Sequence, residues 1–439
     1  MSAQWNLNEF RTVDNSSKLS NISGVLPDNL PADAFLRILR ADDKSPLNFI
    51  LFRKDSYEEG VSEWTPNDVF SVIEDCRKAW EQHVVQYARA VQQPRGQKNQ
   101  FPFQYVYNFR KEPELLKQVA PNLAQAGEKL FSLIFETECD HGLERLASAL
   151  RAIMSEPRHL HVISKALFLP WGMLYTHPIA GELLKPDGSN WKKEGFWGYQ
   201  HIIQHSPEKC ELNTRICSIE GKVPLSINYD ERISTKLDLP DINRHFDFIA
   251  KLSGHEVRRT KKIELEEGFT KGRSELERIV YFYCHGQGST NDSEISLGET
   301  KLILTDGAVS AFDFKLWAKN KKLPTNPLLF INACQGGQMT TMFYKSLAAE
   351  LLEQGAVGLV GAQVDIPAVF ATVYARCIFR SFLSRKEPAR LGPLLRRANQ
   401  IFWDKYHNPL GLVYSLYRGV DCQIDWCRLE NLDARAAAK

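Results

Sequence analysis

Cys334 lies in the run Phe330-Ile331-Asn332-Ala333-Cys334-Gln335-Gly336-Gly337, and His285 lies 49 positions earlier in Tyr283-Cys284-His285-Gly286. A thiol with an imidazole in reach is the pairing that makes a sulfur nucleophile, because the base takes the thiol proton and later returns it to a leaving group. Each residue closes a short apolar run, Ile279-Val280-Tyr281-Phe282-Tyr283 before the histidine and Leu328-Leu329-Phe330-Ile331 before the cysteine. Such runs predict buried strands. Glycine follows close behind each residue, and glycine just past the cysteine leaves the backbone bent and open where sulfur must meet a carbonyl.

The sequence Asn332-Ala333-Cys334-Gln335-Gly336 resembles the caspase signature Gln-Ala-Cys-[Arg/Gln/Gly]-Gly at every position but the first, and a histidine about 50 residues upstream belongs to that signature. Ala-Cys or His-Gly alone is unspecific; their separation and their placement at strand ends carry the signal. The plain alternative is an inert core thiol, since free cysteine is among the most buried residue types. His285 at this spacing argues against it. Cys284, beside the histidine, is expected to be a buried strand residue facing the opposite side of the sheet from His285.

The elements that must position this pair follow from the rest of the chain. With 439 residues, 43% of them hydrophobic and 25% charged, the chain can bury a large core. Fifty-five Lys and Arg nearly balance 53 Asp and Glu, so bulk charge points to neither nucleic acid nor an acidic membrane. Arg258-Arg259-Thr260-Lys261-Lys262 reads as a solvated loop rather than a nucleic-acid contact. No apolar run approaches the ~18 residues of a membrane span, and the first residues lack a signal-peptide layout. Nine scattered cysteines fit reduced thiols and a cytoplasmic setting. Without CxxC pairs or a nearby His-x-x-x-His, no metal and no cofactor are expected.

Ala34–Leu39 and Leu47–Phe52 predict two strands of a small N-terminal α+β unit, and Thr65-Pro66 predicts a helix start with proline in its first turn. The polar stretch 92–100 reads as a linker, so residues 1–110 are expected to form an N-terminal segment, 111–430 the main domain and 431–439 a tail. Helical periodicity covers about 112–151, with strands expected at 162–163, 166–169, 225–229, 255–257, 279–283, 328–331 and 356–360. Helices are expected over 242–253, ended by Gly254, over 341–354, ended by Gly355, and over about 368–383. Apolar strands alternating with helices predict an α/β fold, a doubly wound, mostly parallel sheet covered on both faces. In such sheets ligands bind beyond the carboxyl ends of the strands, where His285 and Cys334 fall. No Gly-x-Gly-x-x-Gly or Gly-Lys-Ser/Thr run follows a strand, which speaks against a nucleotide-binding protein.

Phe282-Tyr283-Cys284-His285-Gly286 and Ile331-Asn332-Ala333-Cys334-Gln335-Gly336 resemble the CHAT domain, a caspase-like family of cysteine proteases related to separases. Leu169-Pro170-Trp171-Gly172-Met173-Leu174-Tyr175 resembles that family's Pro-Trp-Glu-Leu-Leu-Tyr run, with Gly172 in place of Glu. Residues 408–417 resemble its C-terminal segment, so the likeness spans about 112–427. It implies a caspase-like sheet and an endopeptidase with a Cys334–His285 dyad, acting on a protein substrate. Backbone N–H groups of Gly286 and Cys334 are the candidate oxyanion donors, since glycine lets the chain approach a substrate closely. The region after the next strand builds the primary specificity pocket in caspase-like folds. Asp365 there would favour a basic residue before the cut, although it could instead cap the following helix. Asp292 and Glu294 are rival acids. The resemblance further implies a bacterial defence or cell-death setting, CRISPR- or gasdermin-linked, and a regulatory partner or activating ligand that orders the loops. The alternative from another class is a CHAT-fold scaffold that binds without turnover.

Overall fold

Ala34, Leu36 and Ile38 are buried while Phe35, Arg37 and Leu39 are exposed, and this period of two makes β1 (Ala34–Leu39) a half-buried strand. β2 (Leu47–Phe52) and β3 (Tyr57–Ser62) follow it as antiparallel neighbours. The computed structural model describes residues 30–41, 45–64, 66–89, 100–136, 141–179, 181–207, 215–233, 242–270, 277–287, 301–318, 323, 325–334 and 347–426. β4 (His159–Ile163) and β5 (Ile202–Ser206) are parallel to one another, and β6 (Arg215–Cys217) lies apart from them. β7 (Leu225–Tyr229), β8 (Glu256–Arg259) and β9 (Ile279–Gln287) form a parallel group, and β10 (Lys301–Ile303) and β11 (Ala308–Ser310) a hairpin. β12 (Leu328–Cys334), β13 (Gly358–Ala362) and β14 (Tyr414–Tyr417) complete the centre, while β15 (Gln423–Asp425) pairs with β6.

Among the described residues the main sheet runs β11-β10-β9-β12-β13-β14-β5-β4-β1-β2-β3, with β7 beside the first part of β9 and β8 beyond β7. Most contacts between neighbours are parallel, and helices cover both faces. The chain is an α/β protein, as its alternation of apolar strands and helices predicts. β1 pairs in parallel with β4 from Ala34↔Leu160 to Arg37↔Ile163, so the N-terminal strands extend the same sheet. No helix among the described residues is long and apolar enough to cross a membrane.

Strand parity sorts the core into two layers. Tyr281, Tyr283, Phe330 and Val360 join one cluster with the helix Ala368–Phe382, whereas Val280, Phe282, Leu329 and Ile331 join the other with Phe314, Leu351 and Leu352. Cys284 belongs to the second layer, opposite Tyr283, as alternation requires. Gly355 ends the helix Ala349–Glu353 at φ 102°, and Gly254 follows Ile242–Ser253 at φ 75°, both in the left-handed region that favours glycine.

The strand expected at 166–169 is absent. Ser164 Oγ accepts from the N–H groups of Ala166 and Leu167, each at 3.0 Å, and turns the chain out of the sheet. Trp171–Met173 then forms a 3₁₀ turn. Gly172 packs here against the Leu412 carbonyl, and a Cβ on Gly198 would lie 2.8 Å from Gly172 Cα. A glutamate at 172 therefore has no room.

His205 joins these segments: its Nε2–H donates to the Ser164 carbonyl at 2.9 Å, and its Nδ1 accepts from Trp171 Nε1 at 3.3 Å. The Trp171 contact needs the neutral ring, because Nδ1 must accept, and burial pushes the pKa of His205 down to about 4. As pH falls, the unfolded chain takes up this proton first, so stability is lost between about pH 6.5 and 4 at up to ~1.4 kcal/mol per pH unit. His205→Asn is expected to lower the acid-side slope of urea-unfolding free energy by about one proton, and an unchanged slope would refute that role.

Candidate active site

β9 and β12 pair in parallel through seven successive positions, Leu328↔Ile279 to Cys334↔His285. The backbones of the two sequence-selected residues therefore sit side by side on adjacent strands. Cys334 is the last residue of β12, and β9 runs two residues past His285. On its other edge β9 passes from β7, which flanks 279–283, to β10, where Ile303 stands opposite His285 and Leu302 opposite Gly286. Gly286 is thus inside a strand. His285 is half-buried and Gly286 buried. Gln335, Gly336, Asp292 and Glu294 lie outside the described residues.

A buried polar network holds the β12 end in place. Asn332, two residues before Cys334, donates from Nδ2 to the Ala371 carbonyl at 3.0 Å and to Tyr281 Oη at 3.1 Å. Its Oδ1 accepts from Tyr414 O–H at 2.6 Å. One amide thus ties β12 to β9, to β14 and to the first turns of the helix Ala368–Phe382. Tyr283, two residues before His285, reaches the same helix at the Ala368 carbonyl (3.3 Å) and Thr372 Oγ1 (3.2 Å). Behind Tyr281 stands the fully buried His245, whose Nε2 lies 2.9 Å from Tyr281 Oη and whose Nδ1 accepts from Arg376 Nε at 3.3 Å. Burial, reinforced by the Arg376 charge, holds His245 well below the usual histidine range, so it donates as a neutral ring.

Ile331↔Gly361 brings the carboxyl end of β13 beside that of β12, and the loop leaving it carries Asp365. Cys334, His285 and Asp365 thus lie at or just past the carboxyl ends of three adjacent strands. Pro367, two residues past Asp365, is the N-cap of the following helix. The loop is fixed by Gln363: its N–H donates to the Val413 carbonyl at 2.8 Å, its Nε2 donates to Tyr417 Oη at 2.6 Å, and its carbonyl accepts from Arg77 Nε. Among the described residues no group of three or more His, Cys, Asp or Glu could hold a metal ion.

Of these residues, Asn332 carries a readable signal, a polar residue in an otherwise apolar strand. His245, Arg376 and Arg77 carry none, because their partners lie tens to hundreds of positions away.

No family model matches the chain. It is 27% identical over 231 residues to a protein of Vitiosangium sp. (strain GDMCC 1.1324) named as a probable protease, a match covering 50% of this chain and 29% of that one. Two structures of the Saccharomyces cerevisiae separase–securin complex superpose with TM-scores of 0.43 and 0.47 at 10% identity, over 89% of this chain and 30% of theirs. The chain spans less than a third of the length of each of these relatives.

Replacing Asn332 with Ala removes the acceptor of the Tyr414 hydroxyl and a donor to the Ala371 carbonyl at a fully buried position. The expected cost is about 3 kcal/mol by urea unfolding. A loss under about 1 kcal/mol would mean the network does not hold the strand end.

Proposed function

We propose that the chain is a cysteine endopeptidase of the CHAT, caspase-like type, with Cys334 as nucleophile and His285 as its base. The observation that carries this is the Cys334↔His285 register at the carboxyl ends of two parallel strands. Strand alternation would direct both side chains to the face of Tyr283 and Asn332. The histidine takes the thiol proton, and the thiolate sulfur adds to the scissile carbonyl carbon, placing the electron pair on oxygen. Backbone N–H groups of Gly286 and Cys334 are proposed to receive that oxyanion. The imidazolium protonates the leaving nitrogen as the C–N bond breaks, leaving a thioester that water hydrolyses with the same histidine as base.

Asp365 is the proposed acid of the primary pocket, favouring Arg or Lys before the cut through a charge-assisted hydrogen bond. A protein substrate, a regulatory partner and a bacterial defence or cell-death setting are supported by the CHAT resemblance alone.

The test is mass-spectrometric labelling with peptide acyloxymethyl ketones ending in Arg, Lys, Leu or Asp. Adduct is expected on Cys334 alone, fastest with Arg and Lys, absent in Cys334→Ala and slowed at least about 100-fold in His285→Ala. Asp365→Asn should cut the Arg-over-Leu preference about tenfold or more. Equal labelling of other cysteines, or an unchanged rate in His285→Ala, would defeat the proposal.

A further inference from the structure

The helix Pro66–Trp80 and the π-helical turn Glu81–Val85 belong to the N-terminal segment, yet they reach the loop that leaves β13. Arg77 is only 2% exposed, and its Nε donates to the Gln363 carbonyl, 286 positions away. Its Nη1 is held 2.6 Å from Glu74 Oε1, while its Nη2 has no hydrogen-bond partner among the described residues. One turn further, the Glu81 carboxylate accepts the N–H of Asp365. Successive parts of one loop, the carbonyl of 363 and the amide of 365, are thus gripped by one helix.

As a stabilising device this grip is poor. A buried guanidinium with one nitrogen unsatisfied costs more to desolvate than an apolar side chain of similar size would. Glu81 is itself half-buried, and that burial works against its charge. The wide turn starting at Glu81 adds a geometry found mostly as single turns at functional sites. What the arrangement fixes is backbone position at Gln363–Asp365, beside the ends of the strands bearing Cys334 and His285. The loop's other ties through Gln363 run to Val413 and Tyr417.

We infer that Arg77 and Glu81 are positioning residues of the primary specificity pocket, holding the Gln363–Asp365 backbone so that Asp365 meets a basic substrate side chain. This rests on the proposed protease reading. It gives the N-terminal segment a role inside the catalytic domain: without that helix the pocket loop loses two of its main-chain anchors.

The test compares the wild-type chain with Glu81→Leu, Glu81→Gln and Arg77→Met. Three readouts are taken: hydrogen exchange at residues 363–367, the Arg-over-Leu ratio of acyloxymethyl ketone labelling, and alkylation of Cys334 by iodoacetamide. Glu81→Leu and Arg77→Met are expected to lose protection in the loop and to cut the Arg-over-Leu ratio about tenfold, with iodoacetamide alkylation unchanged. Glu81→Gln keeps an acceptor for the Asp365 N–H and should fall between wild type and Glu81→Leu. Unchanged protection, or lost protection with an unchanged ratio, overturns the inference. A wild-type chain that shows no Arg-over-Leu preference overturns it too. In that case iodoacetamide tells the failures apart: a reactive Cys334 leaves the nucleophile standing, and an inert one removes the protease reading as well. The Glu81 variants decide the matter even if Arg77→Met does not fold.

Discussion

The parallel register of β9 on β12 is the constraint on which the rest depends. A slip of one residue would move every side chain of β12 to the other face. It would put Asn332 into the apolar layer of Leu329 and Ile331 and take Cys334 away from His285. The register is held because both strands are covered on both faces. Tyr281, Tyr283 and Phe330 pack beneath the helix Ala368–Phe382, while Val280, Phe282 and Ile331 pack on the opposite layer.

Polar groups then refine what apolar packing sets coarsely. Asn332 is fully buried and has its donor and acceptor sides both engaged, so moving the β12 end would strand several groups at once. Tyr283 makes the matching tie from β9. These bonds join the strand ends to the first turns of one helix, and the loop carrying Asp365 leads into that same helix. The ends of β9 and β12 and the loop after β13 are thereby referred to a single rigid element, which is what a site of fixed geometry requires.

Much of this was legible in the chain itself. The runs 279–283 and 328–331 are apolar, β-branched or aromatic, and end just before His285 and Cys334, so strand and burial could be read together. β1 and β2 were legible because alternation is strict there. The stretch 166–169 misled because Ala166-Leu167-Phe168-Leu169 is as apolar as a strand; the Ser164 hydroxyl, a local competitor for backbone bonds, decides its shape. The joining of β1 to β4 was not legible, since parallel pairing leaves no mark on local sequence. Nor was the grip of Arg77 on Gln363, a contact between residues 286 positions apart. Gly172 reads as a departure from a family pattern, and Gly198 and Leu412 leave no space for a side chain there.

The central claim is that His285 acts on the Cys334 thiol, and the pH dependence of Cys334 alkylation tests it most directly. The rate of iodoacetamide labelling at Cys334, followed by mass spectrometry from pH 4 to 10, reports the thiolate fraction. An imidazolium beside the sulfur should bring the inflection well below the ~8.5 of a free thiol, and His285→Ala should return it to that value or above. Identical profiles for the wild-type chain and His285→Ala would contradict the account.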